Sequence, residues 1–84
     1  MRAVDAVYAR IKELLSEKKM TMYMLAKRSG VPFSTISTMT RSKTVTLATI
    51  YGICEGFGMT LKEFFDSPLF ARAAITDLMF RKIF

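Results

Sequence analysis

Residues 21–39 read TMYMLAKRSGVPFSTISTM. Thr21 is placed to cap a helix, because its hydroxyl can accept a bond from an early helical amide. The spacing predicts a short helix over Met22–Ser29, with Leu25 and Ala26 as its inward residues. Gly30 ends it, since the left-handed residue needed there carries no Cβ penalty in glycine. Val31-Pro32 turns the chain, and proline fits the first turn of whatever follows. Phe33 to Thr40 then reads as another helix, with Ile36 and Met39 three apart on its buried side. Its exposed side is Phe33, Ser34, Ser37 and Thr38. Serine and threonine are poor helix interiors, so packing rather than propensity must hold this element.

Two short helices joined by a glycine-containing turn of three or four residues make a helix-turn-helix. Ala26 is small where the two helices should cross, and Val31 and Ile36 fill the angle between them.

Outward from this motif the pattern stays helical. Val4, Val7, Tyr8, Ile11, Leu14 and Leu15 form one apolar stripe, predicting a first helix from about Ala3 to Lys18 or Lys19. Arg10, Lys12, Glu13 and Glu17 fall off that stripe. Arg41 to Val45 reads as a loop. Thr46 opens a fourth helix carrying Leu47, Ile50, Tyr51, Ile53, Cys54 and Phe57, which Gly56 and Gly58 close. Thr60 and Glu63 make a capping-box pattern for a fifth, with Leu61, Phe64 and Phe65 as its apolar residues. Ser67-Pro68 is a further cap, and the tail beyond has a wide helical stripe from Phe70 to Phe84.

The whole chain has 84 residues, one cysteine and no histidine. These numbers predict one small domain without a disulfide, a His/Cys zinc site or a histidine-based catalytic relay. No uncharged run approaches the ~20 residues of a membrane-spanning helix. Asp5 and Arg10 interrupt any signal-peptide-like stretch, so a soluble cytoplasmic protein is expected. The net charge of +6 is unevenly placed. Between Glu17 and Glu55 there is no acid, while Lys18, Lys19, Lys27, Arg28, Arg41 and Lys43 all fall there. A polyanion such as nucleic acid is the natural partner of such a segment, and a merely solvated face is the alternative. Serine and threonine crowd the stretch from Ser34 to Thr49, and hydroxyls contact phosphate oxygens without regard to base sequence. At Thr21, Thr46 and Thr60 the same hydroxyls can equally be caps.

From Val7 to Phe65 the chain resembles the phage repressor and Cro type of helix-turn-helix domain, the XRE-like class of bacterial regulators. The resemblance rests on Thr21, Leu25-Ala26, Gly30-Val31, Ser34-Thr35-Ile36-Ser37, Arg41, Lys43, Leu47, Ile50 and the closing GMTLKEFF of residues 58–65. It implies an all-α fold, a five-helix repressor-like domain over residues 1–66; the additional C-terminal helix over residues 67–84 lies outside the resemblance and is expected from its cap and apolar stripe. It also implies double-stranded DNA as partner and a homodimer as the binding form. Phe33, Ser34 and Thr38 match the base-reading positions, with Ser37 beside them. Thr21 and Met22 match backbone-contacting positions at the start of the second helix, and Arg41, Lys43, Thr44 and Thr46 match the flanking phosphate contacts. The chain departs from the family pattern at Met22 and Phe33, where glutamine is common, at Thr40, where an acid often stands, and at Ser42, where glycine does. Phe33 cannot hydrogen-bond a base edge; it either touches a thymine methyl or packs on a neighbouring helix or partner. Met22, Tyr23 and Met24 are more large apolar groups than one helix start can bury, and serve either the core or a partner surface.

The function expected is a sequence-specific DNA-binding transcriptional regulator. The alternative is a protein-interaction module on the same fold, such as an antitoxin or co-regulator. No base adjoins a nucleophile in a recognisable motif, so neither an enzyme nor a cofactor is expected. The apolar tail needs a surface to cover, which is either its own domain or the tail of a second subunit.

Overall fold

The computed structural model describes residues 2–70. Five α-helices follow one another: α1 (Ala3–Glu17), α2 (Met22–Ser29), α3 (Phe33–Ser37), α4 (Leu47–Phe57) and α5 (Leu61–Phe65). A 3₁₀ turn over Met39–Arg41 follows α3. The fold is all-α, with no strand among the described residues. Residues 68–70 form a helical turn in which the Ser67 hydroxyl accepts from the Leu69 amide at 3.3 Å. The rest of the expected C-terminal helix lies outside the described residues.

Caps fix the helix starts where the sequence puts them. Thr21 Oγ1 accepts from the Met24 amide at 3.1 Å, and Thr46 Oγ1 accepts from Thr49 at 3.2 Å. At α5 the box is reciprocal: Thr60 Oγ1 accepts from Glu63 N at 3.1 Å, while Glu63 Oε1 accepts from Thr60 N at 3.0 Å. The Thr60 amide, and with it the Thr60 hydroxyl, donates to the ionised form and holds the Glu63 carboxyl below the usual carboxylate range. Gly30 ends α2 at φ 74°, in the left-handed region that its lack of a Cβ opens. The end of α1 differs slightly from expectation. Lys18 leaves helical geometry, and Lys19 takes φ 53° so that the Met20 amide can reach Leu15 O. This Schellman closure ends the helix at Glu17, one or two residues before the expected Lys18 or Lys19.

The core gathers the stripes of all five helices. Ile11, Leu25, Ile36, Ile53 and Phe64, one from each, are fully buried. Helix α2 packs chiefly along α4. The two come close at Ser29 and Gly56, a crossing that the sequence reading does not single out. A Cβ on Gly56 would sit 2.8 Å from Ser29 Cβ and 3.0 Å from its backbone nitrogen. Gly56 therefore does not help to close α4; it lies within the helix and permits the crossing.

Two other expectations are corrected. Arg10 falls off the apolar stripe, yet it is buried. It is 8% exposed, and its guanidinium donates to Phe64 O at 2.8 Å, to Glu63 O at 2.9 Å and to the Glu13 carboxylate. The carbonyls at the end of a helix lack intrahelical partners, and Arg10 supplies them for α5. Leu47 and Tyr51, counted in the apolar stripe of α4, stand outward at 64% and 55% exposure. The helix needs only Ile50, Ile53, Cys54, Gly56 and Phe57 to fill its inner side.

Candidate nucleic-acid interface

Helix α3 is shorter than its pattern suggests. The expected Phe33–Thr40 helix stops at Ser37, with Thr38 at φ −115° and ψ 14°. The cause is local. Thr38 Oγ1 donates to Ser34 O at 2.6 Å, alongside the Thr38 amide at 3.1 Å. A threonine bonded back to the preceding turn bends a helix and disfavours its continuation. The next turn tightens instead, with Arg41 N on Thr38 O at 3.0 Å and Ser42 N on Met39 O at 3.1 Å. Ile36 and Met39 are both buried, so the break leaves the expected inward pair in place.

The outward face of α3 carries the side chains expected there. Phe33 is 47% exposed and Ser34 is exposed, while Ser37 and Thr38 are half-buried. Arg41, Lys43, Thr44 and Thr46 are exposed along the connection to α4. Thr38, Thr44 and Thr46 line one cavity of about 330 Å³ between α3 and the start of α4. Thr35, Ser42 and Thr49 complete its hydroxyl lining, with Met39 and Val45 as its apolar part. Sequence reasoning does not single out these three hydroxyl residues as site candidates. The signal that could find them is the density of hydroxyls between Ser34 and Thr49.

Thr21 and Met22 lie apart from this cavity, at the start of α2. Met22 is half-buried against the core, so the side chain has no polar role to offer. Its amide, at the first helical position, has no intrahelical acceptor. Tyr23 and Met24 are exposed, so the three large residues at this helix start divide between core and surface. The Lys27 ammonium lies 5.9 Å from the centroid of the Tyr23 ring, a one-turn cation–π contact.

The electrostatics follow from what is missing between Glu17 and Glu55. The ion pairs among the described residues are Arg2–Asp5 and Arg10–Glu13. Neither uses a base from the acid-free segment, so no carboxylate among the described residues forms an ion pair with its cations. Arg2 also donates to Thr40 O at 2.8 Å, tying the start of α1 to the turn after α3. The same guanidinium holds the Asp5 carboxyl below the usual carboxylate range, chiefly through their side-chain hydrogen bonds.

No group of three or more potential metal-ligating residues occurs among the described residues. None of the described helices is long and apolar enough to cross a membrane. The surface that remains is cationic and hydroxyl-rich, built on a helix-turn-helix, with chemistry suited to phosphates and base edges. A comparison with protein families matches residues 10–68 to the Cro/C1-type HTH DNA-binding domain. Comparisons with curated proteins and with solved structures gave no match.

Proposed function

Because the chain belongs to the Cro/C1-type helix-turn-helix DNA-binding family, we propose that it is a sequence-specific transcriptional regulator that reads the major groove of an operator. The observation that carries this reading is the surface around α3: an outward face of Phe33, Ser34, Ser37 and Thr38 beside a hydroxyl-lined cleft and the cations Arg41 and Lys43. In this reading Ser34, Ser37 and Thr38 approach base edges, and Phe33 approaches a thymine methyl. Arg41, Lys43, Thr44 and Thr46 hold one phosphate run, and Thr21 with the Met22 amide holds another. Cytoplasmic location follows from the DNA partner.

A homodimer would set two reading helices ~34 Å apart, one turn of DNA. The apolar tail from residue 68 onward is the proposed interface, by its content of large apolar residues. Exposed Leu47 and Tyr51 on α4 support a second location for that contact. They also favour the alternative function, a protein-interaction module, together with exposed Tyr23 and Met24.

The test is a selection from random duplexes followed by affinity measurements across a salt series. A regulator yields one palindromic motif, with salt-dependent binding. Arg41→Ala with Lys43→Ala should weaken all duplexes alike. Each phosphate left without its cation should reduce the magnitude of the log–log salt slope by about 0.9. Recovery of no motif would remove the regulator reading. Sedimentation of the full chain and of a form ending at residue 67 tests the dimer, with a monomeric full chain at high micromolar concentration as the contrary result.

A further inference from the structure

The carbonyl of Ser34 decides what Thr38 can say to a base. A carbonyl oxygen only accepts, so the 2.6 Å contact from Thr38 Oγ1 must use the hydroxyl's own hydrogen. The Thr38 amide takes the same oxygen at 3.1 Å. Those two donors match its two lone pairs. The Ser37 hydroxyl reaches the same oxygen at 3.4 Å, the long limit of such a contact, and remains free to turn elsewhere. The two neighbouring hydroxyls are therefore not equivalent. Ser37 keeps both donor and acceptor capacity, whereas Thr38 offers lone pairs alone.

We propose that Thr38 reads its base as a hydrogen-bond acceptor only, selecting the amino-bearing bases adenine and cytosine on the strand it faces and rejecting guanine and thymine. In the major groove adenine N6 and cytosine N4 carry donor hydrogens, while guanine O6 and N7 and thymine O4 are acceptors. Facing guanine or thymine, the Thr38 lone pairs meet another acceptor. The hydroxyl could donate only by releasing Ser34 O, which costs the helix end the shorter of its two bonds to that carbonyl. The operator should then show an unusual position in each half-site, where adenine and cytosine are both accepted and the other two bases are both disfavoured. This inference rests on the reading of α3 as the base-reading element.

The experiment compares motifs selected from random duplexes by the wild type, Thr38→Ser and Thr38→Val, with circular dichroism to check folding. The expected result is an adenine-or-cytosine position in the wild-type motif, preferred about fivefold, as one neutral hydrogen bond allows. Thr38→Ser should keep it, and Thr38→Val should lose it while the other positions stand. A duplex carrying a purine without its 6-amino group at that position should bind the wild type about fivefold more weakly than the adenine duplex. This arm uses the wild type alone and holds even if Thr38→Val does not fold. Guanine or thymine at the Thr38-dependent position, or a motif unchanged in a folded Thr38→Val, would overturn the proposal and leave the regulator reading intact. A wild type that selects no motif overturns both.

Discussion

Helices α2 and α3 are the two arms of one motif, yet different physics holds them. Helix α2 has eight residues, a threonine cap at one end, a left-handed glycine at the other, and α4 along its side. Helix α3 has five residues, begins at Pro32 without a side-chain cap, and ends where Thr38 bonds back to Ser34. One arm is stable by its own chain signals together with packing. The other is a short turn pinned by Ile36 and continued through Met39. The arm that carries the proposed reading face is therefore the shorter and less capped of the two.

The sharpest way to break this contrast is to empty the two anchors. Leu25 and Ile36 are both fully buried, and truncating either to alanine should cost ~2–5 kcal/mol. Leu25→Ala should fall at the upper end, because a Leu25 methyl also lines the Gly56 crossing. Ile36→Ala should fall at the lower end, since a five-residue helix can relax into the space. Thermal or urea unfolding measures both, and an equal or reversed order would abolish the distinction between the arms.

Gly56→Ala comes next. The added methyl meets Ser29 Cβ and backbone, which cannot yield as a flexible side-chain tip would. A loss of ~1–3 kcal/mol is expected, the range for overpacking a core. Wild-type stability in this variant would show that α2 and α4 have slack between them. Smaller again, Thr21→Ala should cost ~1 kcal/mol by removing the α2 cap, whereas Ser34→Ala on α3 should stay within about 0.5 kcal/mol. The same unfolding curves decide whether the capped arm is indeed the more sensitive.

Acid gives the gentlest test. The segment holding α2 and α3 has no carboxylate, so protonation acts first elsewhere. Asp5 and Glu63 both have lowered folded values. Their contribution is complete above the unfolded carboxylate value of ~4 and fades as pH falls through the lower folded one. Hydrogen exchange at about pH 2–4 should show the start of α1 and the cap of α5 loosening before α2. Earlier opening of α2 would point to an acid-sensitive contact within the motif.

How far the sequence discloses this arrangement depends on the range of each signal. The caps at Thr21, Thr46 and Thr60 are legible because donor and acceptor sit three residues apart. The outward set on α3 is legible because Ile36 and Met39 declare the inward side. The burial of Arg10 is not, since the carbonyls it serves at Glu63 and Phe64 lie more than fifty residues away and are backbone atoms that any sequence offers. Gly56 is opaque for the same reason: its meaning is the proximity of Ser29. The early end of α3 is an intermediate case. Thr38 sits four residues after Ser34, a spacing that permits either a continuing helix or a hydroxyl that ends it.

The crossing at Gly56 also has a mechanical consequence. Helix α3 is carried at the far side of the Gly30 turn, so α2 acts as an arm whose bearing is the contact between Ser29 and Gly56. A bearing so tight transmits angle faithfully. A few tenths of an ångström of spreading at residue 56 would tilt the arm and swing α3 through a larger arc. On the proposed reading, residue 56, with no side chain of its own, would help to aim the α3 face, and substitutions there should weaken binding overall before they alter which bases are preferred.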